Sequence, residues 1–260
     1  MLPPFWQLEL GDGPLVACAV HHGHAVRPDV AERMLLDEAQ RQYEEDPFTG
    51  HWANVAPTRF IGHRSRFEVD FNRPRESAVY LEPDDAWGLE LWHTPPPPEV
   101  VEQSLAAHDA FYAHLRLVLD ELVRRHGRVV VFDLHSYNHV RNGPNAAPDD
   151  PAKNPEINVA TGSLDRENWA PIVDRCLTEL RTYDYMGRRL DVRENVRFRG
   201  GELPKWIHRN YPGTVCALAL EFKKFWMDEW TGEVDRQQHR ELHQALEAMT
   251  AAVSDALNEL

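Results

Sequence analysis

The 260-residue sequence predicts an α/β fold built on one mixed, largely parallel sheet with helices on both faces. Three observations carry that prediction. Short apolar runs alternate with amphipathic helical stretches, the pattern of a sheet wrapped by crossover helices. The runs LVACAV, VVVF and TVCALAL are continuously apolar, as strands buried on both faces are. No composition break separates them, so residues 1–260 are expected to form a single domain.

In chain order, residues 15–20 read as a buried strand opening into a loop at His21-His22-Gly23-His24. Pro28 starts a helical segment that puts Val30, Met34 and Leu35, and onward Ala39, on one face. Residues 66–71 (RFEVDF) alternate and predict a strand, and residues 89–92 a shorter one. The following TPPPPEV forces an extended linker. From 100 to 123, apolar residues (counting His108) recur at helical spacing, giving a long amphipathic helix closed by Gly127. A strand at 129–132 follows at once, and the polar, proline-rich stretch 142–158 is a long loop of the kind that often carries function. A helix at 166–182, a strand at 190–192, a loop with a short helix in RFRGGELPKWIHRNYPG, a strand at 214–221 and a helix at 234–260 complete the chain.

Composition narrows the function. With 42% hydrophobic residues the chain can bury a substantial core. A net charge of −14 argues against general binding to nucleic acid or anionic membranes. No run approaches the roughly 18 apolar residues needed to span a bilayer. The start, MLPPFWQLELGDG, lacks the basic and apolar regions of a signal peptide. Cys18, Cys176 and Cys216 are widely spaced with no C-x-x-C pair, suiting small-hydrophobe roles in a reducing cytoplasm.

Three buried runs end on chemistry: LVACAV on His21, VVVF on Asp133 and His135, TVCALAL on Glu221. Sites in open α/β sheets lie beyond the carboxyl ends of the strands, so these ends can converge on one crevice. Two imidazoles and two carboxylates suit a hydrolytic zinc site with three protein ligands, an open position and a separate carboxylate base. A lone histidine at a strand end is more often a hydrogen-bonded polar residue than a ligand; three such ends in one chain favour the metal. No H-E-x-x-H or cysteine-rich motif is present. In RFEVDFNRPR, Asn72 and Arg73 can offer an amide and a planar guanidinium to a substrate carboxylate, while Asp70 and Arg73 could instead pair and cap a turn. Residues 188–209 carry seven cations against three carboxylates, a local reversal that fits an anion pocket; Arg188 and Arg189 read as a solvated face.

The ordered set HHG…P, EED, RFEVDFNR, FDLHS, VRFRGG and LALEFKKFWMDE resembles the N-formylglutamate amidohydrolases over about residues 15–230. These are zinc-dependent relatives of the metallocarboxypeptidase and aspartoacylase fold. The resemblance implies release of formate from N-formyl-L-glutamate, in histidine degradation, with one zinc ion and a small anionic N-acyl amino acid as partner. His21 and His135 match the histidine ligands; Asp46 matches the carboxylate ligand best, with Glu45 the close alternative. Glu221 matches the general base that later protonates the leaving amine. Asn72 and Arg73 match the pair holding the substrate carboxylate, and Arg66 or Arg199 would help stabilise the oxyanion. Arg199, Gly200 and Gly201 fall in a glycine-bearing loop where backbone can approach ligand closely. Asp133 would orient an imidazole; His22 and His24, beside the first ligand, are assigned to local hydrogen bonding, with ligation the alternative. The loop after His135 and the PPPP segment depart from the family pattern, so another zinc deacylase, a carboxypeptidase-like peptidase and a non-catalytic metal-binding relative stand as alternatives.

Overall fold

The apolar runs become the centre of a seven-stranded sheet in the computed structural model, which describes residues 2–260. Its strands are β1 (Trp6–Glu9), β2 (Leu15–Ala19), β3 (Thr58–Gly62), β4 (Val129–Tyr137), β5 (Ile157–Ala160), β6 (Val192–Glu194) and β7 (Val215–Lys223). Their order is β1-β3-β2-β4-β7-β5-β6. The central four, β3-β2-β4-β7, are mutually parallel; β1 on β3 and β5 on β7 run antiparallel, and β6 is parallel to β5. The helices are α1 (Pro28–Ala31), α2 (Glu38–Glu44), α3 (Thr49–Trp52), α4 (Pro98–His126), α5 (Ala170–Thr182), α6 (Glu202–Asn210) and α7 (Arg236–Asn258).

Because strand side chains alternate, the sheet buries two faces. Val130, Phe132 and Leu134 of β4 pack with Leu218 and Leu220 of β7 against Trp52, α5 and α7. Val129 and Val131 pack with Val215 and Ala217 against α4 and α6. Asp133, His135 and Glu221 share the odd-numbered phase, which places them on the α4–α6 side of the sheet at its carboxyl edge. The three cysteines are buried and free.

The structure departs from the expected elements in four places. Residues 66–71 form a turn, not a strand. Their alternation is misleading because both phases are buried: Phe67, Val69 and Phe71 enter the core, while Glu68 pairs with Arg27 and Arg64, and Asp70 with Arg66. The strand of this region is β3, just upstream. The helix begun at Pro28 stops after one turn, since Met34 leaves to form an antiparallel bridge with Trp92; that bridge is all that is formed of the strand expected at 89–92. A separate α2 then starts from a capping box between Asp37 and Gln40, leaving Leu35 and Ala39 exposed. β1 and β5, short and at or near the sheet margins, escaped the sequence reading.

Candidate active site

The site grows from three strand ends. His21 follows β2, and Asp46 reaches it because its backbone N–H donates to the His21 carbonyl at 3.0 Å, folding the segment after α2 onto the sheet. His135 and Glu221 face one another in register on the neighbouring parallel strands β4 and β7. His21, Asp46 and His135 are all buried, and each offers one ligand atom within 4.8 Å of the others.

The hydrogen bonds define a site suited to a cation. His21 Nε2 donates to Asp70 Oδ1 at 2.6 Å, which leaves the lone pair on Nδ1. That Nδ1 is buried without a hydrogen-bond partner and lies 3.4 Å from Asp46 Oδ2. A lone pair facing a carboxylate in a dry site is unfavourable unless something positive sits between them. His135 Nδ1 lies 2.9 Å from the same Asp46 oxygen. Asp133 Oδ1 is 2.9 Å from His135 Nε2, but off the hydrogen-bonding direction, and both Asp133 oxygens are buried without a donor. With a metal on Nδ1, the His135 proton would move to Nε2, the nitrogen beside Asp133, and the Asn72 amide would keep a packing contact with the ring. The residues present therefore fit a divalent cation.

Burial raises Asp46, but the hydrogen bond from His135 and the neighbouring His21 ring outweigh it and hold the carboxyl well below the usual range. Asp70 is likewise held low, burial being overcome by His21 and Arg66. Glu221 behaves in the opposite way. Burial, reinforced by Asp46 and Asp133 against His135, pushes it up to about 7.

These groups open on a cavity of ≈ 690 Å³ that Arg66, Asn72, Arg73, Arg199, Gly200 and Gly201 also line. Six cationic side chains face three carboxylates in its wall, the reverse of the chain's overall balance. Arg66 is fixed by Asp70 at 2.8 Å and by the Tyr80 hydroxyl. Arg73 donates to the Asp85 carbonyl and lies 5.1 Å over the Tyr80 ring. Asn72 differs from its expected role in one respect: both ends of its amide are engaged. Its Nδ2 donates to His135 Nε2 at 3.1 Å, and its Oδ1 accepts from Leu203 N at the start of α6 at 2.8 Å. A Cβ at Gly201 would fall 2.3 Å from Asn72 Oδ1, so that glycine is required for the contact.

Two alternatives point elsewhere. Glu45 accepts from Ser65 Oγ and pairs with His24, away from the cluster, so Asp46 rather than Glu45 faces the two histidines. The His22 ring packs against Gly50 and lies 5.7 Å from the His51 ring, and burial lowers it to about 4. It joins no ligand group. Of the basic stretch, Arg188, Arg193 and Arg209 pair with Glu156, Asp191 and Glu202 at the surface, while Arg197 and Arg199 reach the cavity.

Sequence reasoning missed three participants. Asp70, which orients His21, was readable only as a turn residue in VDFNR, because its partner lies 49 positions away. Lys224 lies buried at the end of β7, its Nζ donating to the Tyr43 and Glu45 carbonyls at 2.7 and 2.8 Å, and burial lowers it to about 8. Arg141, from the long loop, lines the cavity and forms a bidentate pair with Glu44 at 3.0 Å. Neither cation carried a local signal.

A buried pair of histidines and a carboxylate at the carboxyl edge of a mixed sheet, beside a free carboxylate and under a cationic wall, defines a hydrolase architecture in which a metal can be held. The chain belongs to the N-formylglutamate amidohydrolase family, whose model matches residues 13–226, and it is a hydrolase acting on an amide. The crystal structure of N-formylglutamate amidohydrolase from Ralstonia eutropha JMP134 matches with a TM-score of 0.77 and 17% identity, covering 98% of each chain. The crystal structure of gene product Atu2144 from Agrobacterium tumefaciens matches at 0.68 and 18% identity, covering 96% of this chain and 95% of that one. A putative carboxypeptidase A from Shewanella denitrificans OS-217 aligns at 0.39 and 12% identity, over 96% and 60%. No curated protein matches the chain by sequence.

Proposed function

We propose that the enzyme hydrolyses the amide of an N-acyl amino acid, with N-formyl-L-glutamate as the first substrate to test, using one zinc ion. His21 Nδ1, Asp46 and His135 Nδ1 would hold the ion, a mixed nitrogen and oxygen set that suits zinc. When bound, it supplies Lewis acidity to water and to the scissile carbonyl. The buried His21 Nδ1, facing Asp46 with no partner, is the observation that carries this reading.

The chain's own residues do the rest. Glu221 takes a proton from the attacking water as its oxygen joins the acyl carbon, then gives that proton to the amide nitrogen as the carbon–nitrogen bond breaks. From N-formylglutamate the products are formate and glutamate. Arg66, rigid between Asp70 and Tyr80, and Arg199 offer positive charge to the developing oxyanion. Arg73 takes the substrate carboxylate. Asn72 contributes mainly by fixing the His135 ring. A cytoplasmic setting and a place in histidine degradation belong to the same reading, which the three buried thiols suit. Among the described residues no helix is long and apolar enough to cross a membrane.

Metal analysis of the purified protein together with formate release from N-formyl-L-glutamate tests the proposal. Roughly one zinc per chain with formate release is expected. Zinc with turnover of another N-acyl amino acid would transfer the reading to that substrate, whereas zinc without turnover on a panel of them would leave a binding protein.

A further inference from the structure

Beside the catalytic cavity lies a second cleft of different character. It measures ≈ 450 Å³ and shares Glu44, Trp87 and Arg141 with the catalytic cavity, so the two spaces adjoin along one wall. Its other walls include Tyr43, Leu89 and Trp230. The only cation in that lining, Arg141, is neutralised by its bidentate pair with Glu44. One space is thus cationic and the other aromatic, with a closed ion pair at the junction.

The aromatic cleft is built rather than incidental. The Trp230 indole N–H donates to the Val140 carbonyl at 2.9 Å, and its ring lies 4.6 Å from that of Tyr43. The Tyr43 hydroxyl donates to Glu229 Oε1, and the same carboxylate accepts from His139 N and Val140 N. Trp87 is held beneath the Arg66 guanidinium, 4.9 Å away, so it touches the catalytic wall and the cleft together. Yet Trp87 remains 48% exposed and Trp230 39% exposed. Two fixed tryptophans turned to solvent around one concavity are what a site for an apolar group requires.

Resting on the amide-hydrolase reading above, we propose that this cleft binds an aromatic or aliphatic extension of the substrate. The preferred substrate is then a carboxylate-bearing amide larger than N-formylglutamate. The cationic cavity takes its carboxylate and scissile bond, and the extension crosses the Glu44–Arg141 pair to lie between Tyr43, Trp87 and Trp230. The cavity volume agrees, since it falls within the range of about 300–1,000 Å³ that encloses drug-sized ligands.

Calorimetric titration of zinc-loaded Glu221→Gln protein, where turnover is suppressed, tests this with two ligand pairs. N-phenylacetyl-L-glutamate against N-acetyl-L-glutamate places the extension on the acyl side; N-formyl-L-phenylalanine against N-formyl-L-alanine places it on the amine side. In one pair the aromatic member is expected to bind at least about tenfold tighter. Adding Trp230→Ala should bring that ratio towards one. Adding Ala39→Trp should do the same by filling the cleft from an exposed position of α2, with no demand on the core. Equal affinities in both pairs, no binding of any ligand, or a ratio that survives both added substitutions would overturn the cleft. Wild-type protein that holds zinc and hydrolyses N-formylglutamate while the ratios stay at one would leave the parent reading standing; absence of zinc and of turnover would remove that reading separately.

Discussion

The two halves of the site are built by different means. The cluster half is anchored on strands: His135 and Glu221 lie in register within the sheet, His21 follows the end of a third parallel strand, and Asp46 is tied to that end by its backbone bond to His21. Every ligand-type side chain there is buried and held by another buried group, as His21 is by Asp70. The substrate half is loop-borne. Arg73, Trp87 and Arg141 come from three separate segments and stay partly accessible or exposed. Preorganised electrostatics demands the first construction, because donors and charges cannot be allowed to relax as the reaction proceeds. Selectivity needs only the second, and loops tolerate change.

Substitutions should respect that division. His135→Ala should abolish both metal binding and turnover, read by metal analysis and formate release. Glu221→Gln should cut kcat by about 10²- to 10⁴-fold while zinc content stays at the wild-type level; zinc lost with the activity would make Glu221 a ligand and redraw the cluster half. Asp70→Asn keeps the shape but weakens the hold on His21, so zinc affinity should fall about 10- to 100-fold in a chelator competition. Arg73→Ala should raise KM for carboxylate substrates by about tenfold with kcat little changed. If kcat fell instead, the loop-borne half would be part of the reacting centre and the contrast would collapse.

The smallest effect concerns the scaffold. His208 Nδ1 bonds Ser163 Oγ and its Nε2 accepts from Ala217 N, so α6 is tied to β7 through a neutral ring that burial lowers to about 4. An unfolded chain takes up that proton near 6.5, so the contribution of His208 is complete above 6.5 and is lost as pH falls towards 4. The urea midpoint should decline over that window, and His208→Gln should flatten the decline.

The same division decides what could be read in the sequence. Continuous apolar runs announce central strands, and the polar residues that close them stand out because burying such groups is costly. So β2, β4, β7 and the residues His21, Asp133, His135 and Glu221 were visible at once. The long helix α4 was equally plain, its period being unbroken from end to end. Where both phases of a segment are buried, period two loses its meaning, and 66–71 reads as a strand although ion pairs and packing hold it as a turn. Asp70, Lys224 and Arg141 were invisible as partners because their contacts depend on distant chain segments. The family resemblance, not spacing, singled out Asp46; the structure adds the reason, a backbone hydrogen bond to His21 that aims it inward.

Asn72 ties the two halves together, and this restricts how the enzyme could acquire new specificities. One hand of its amide steadies a ligand ring and the other caps α6, with Gly201 leaving the room it needs. Lengthening or decorating the Arg199–Gly201 segment would therefore be felt at His135. Trp230, bonded to the Val140 carbonyl and set against the Tyr43 ring, carries no such link to the ligand rings, whereas Trp87 reaches His21 through Arg66 and Asp70. Diversification, in nature or at the bench, should proceed from the Trp230 side, where sequence can drift without disturbing the chemistry.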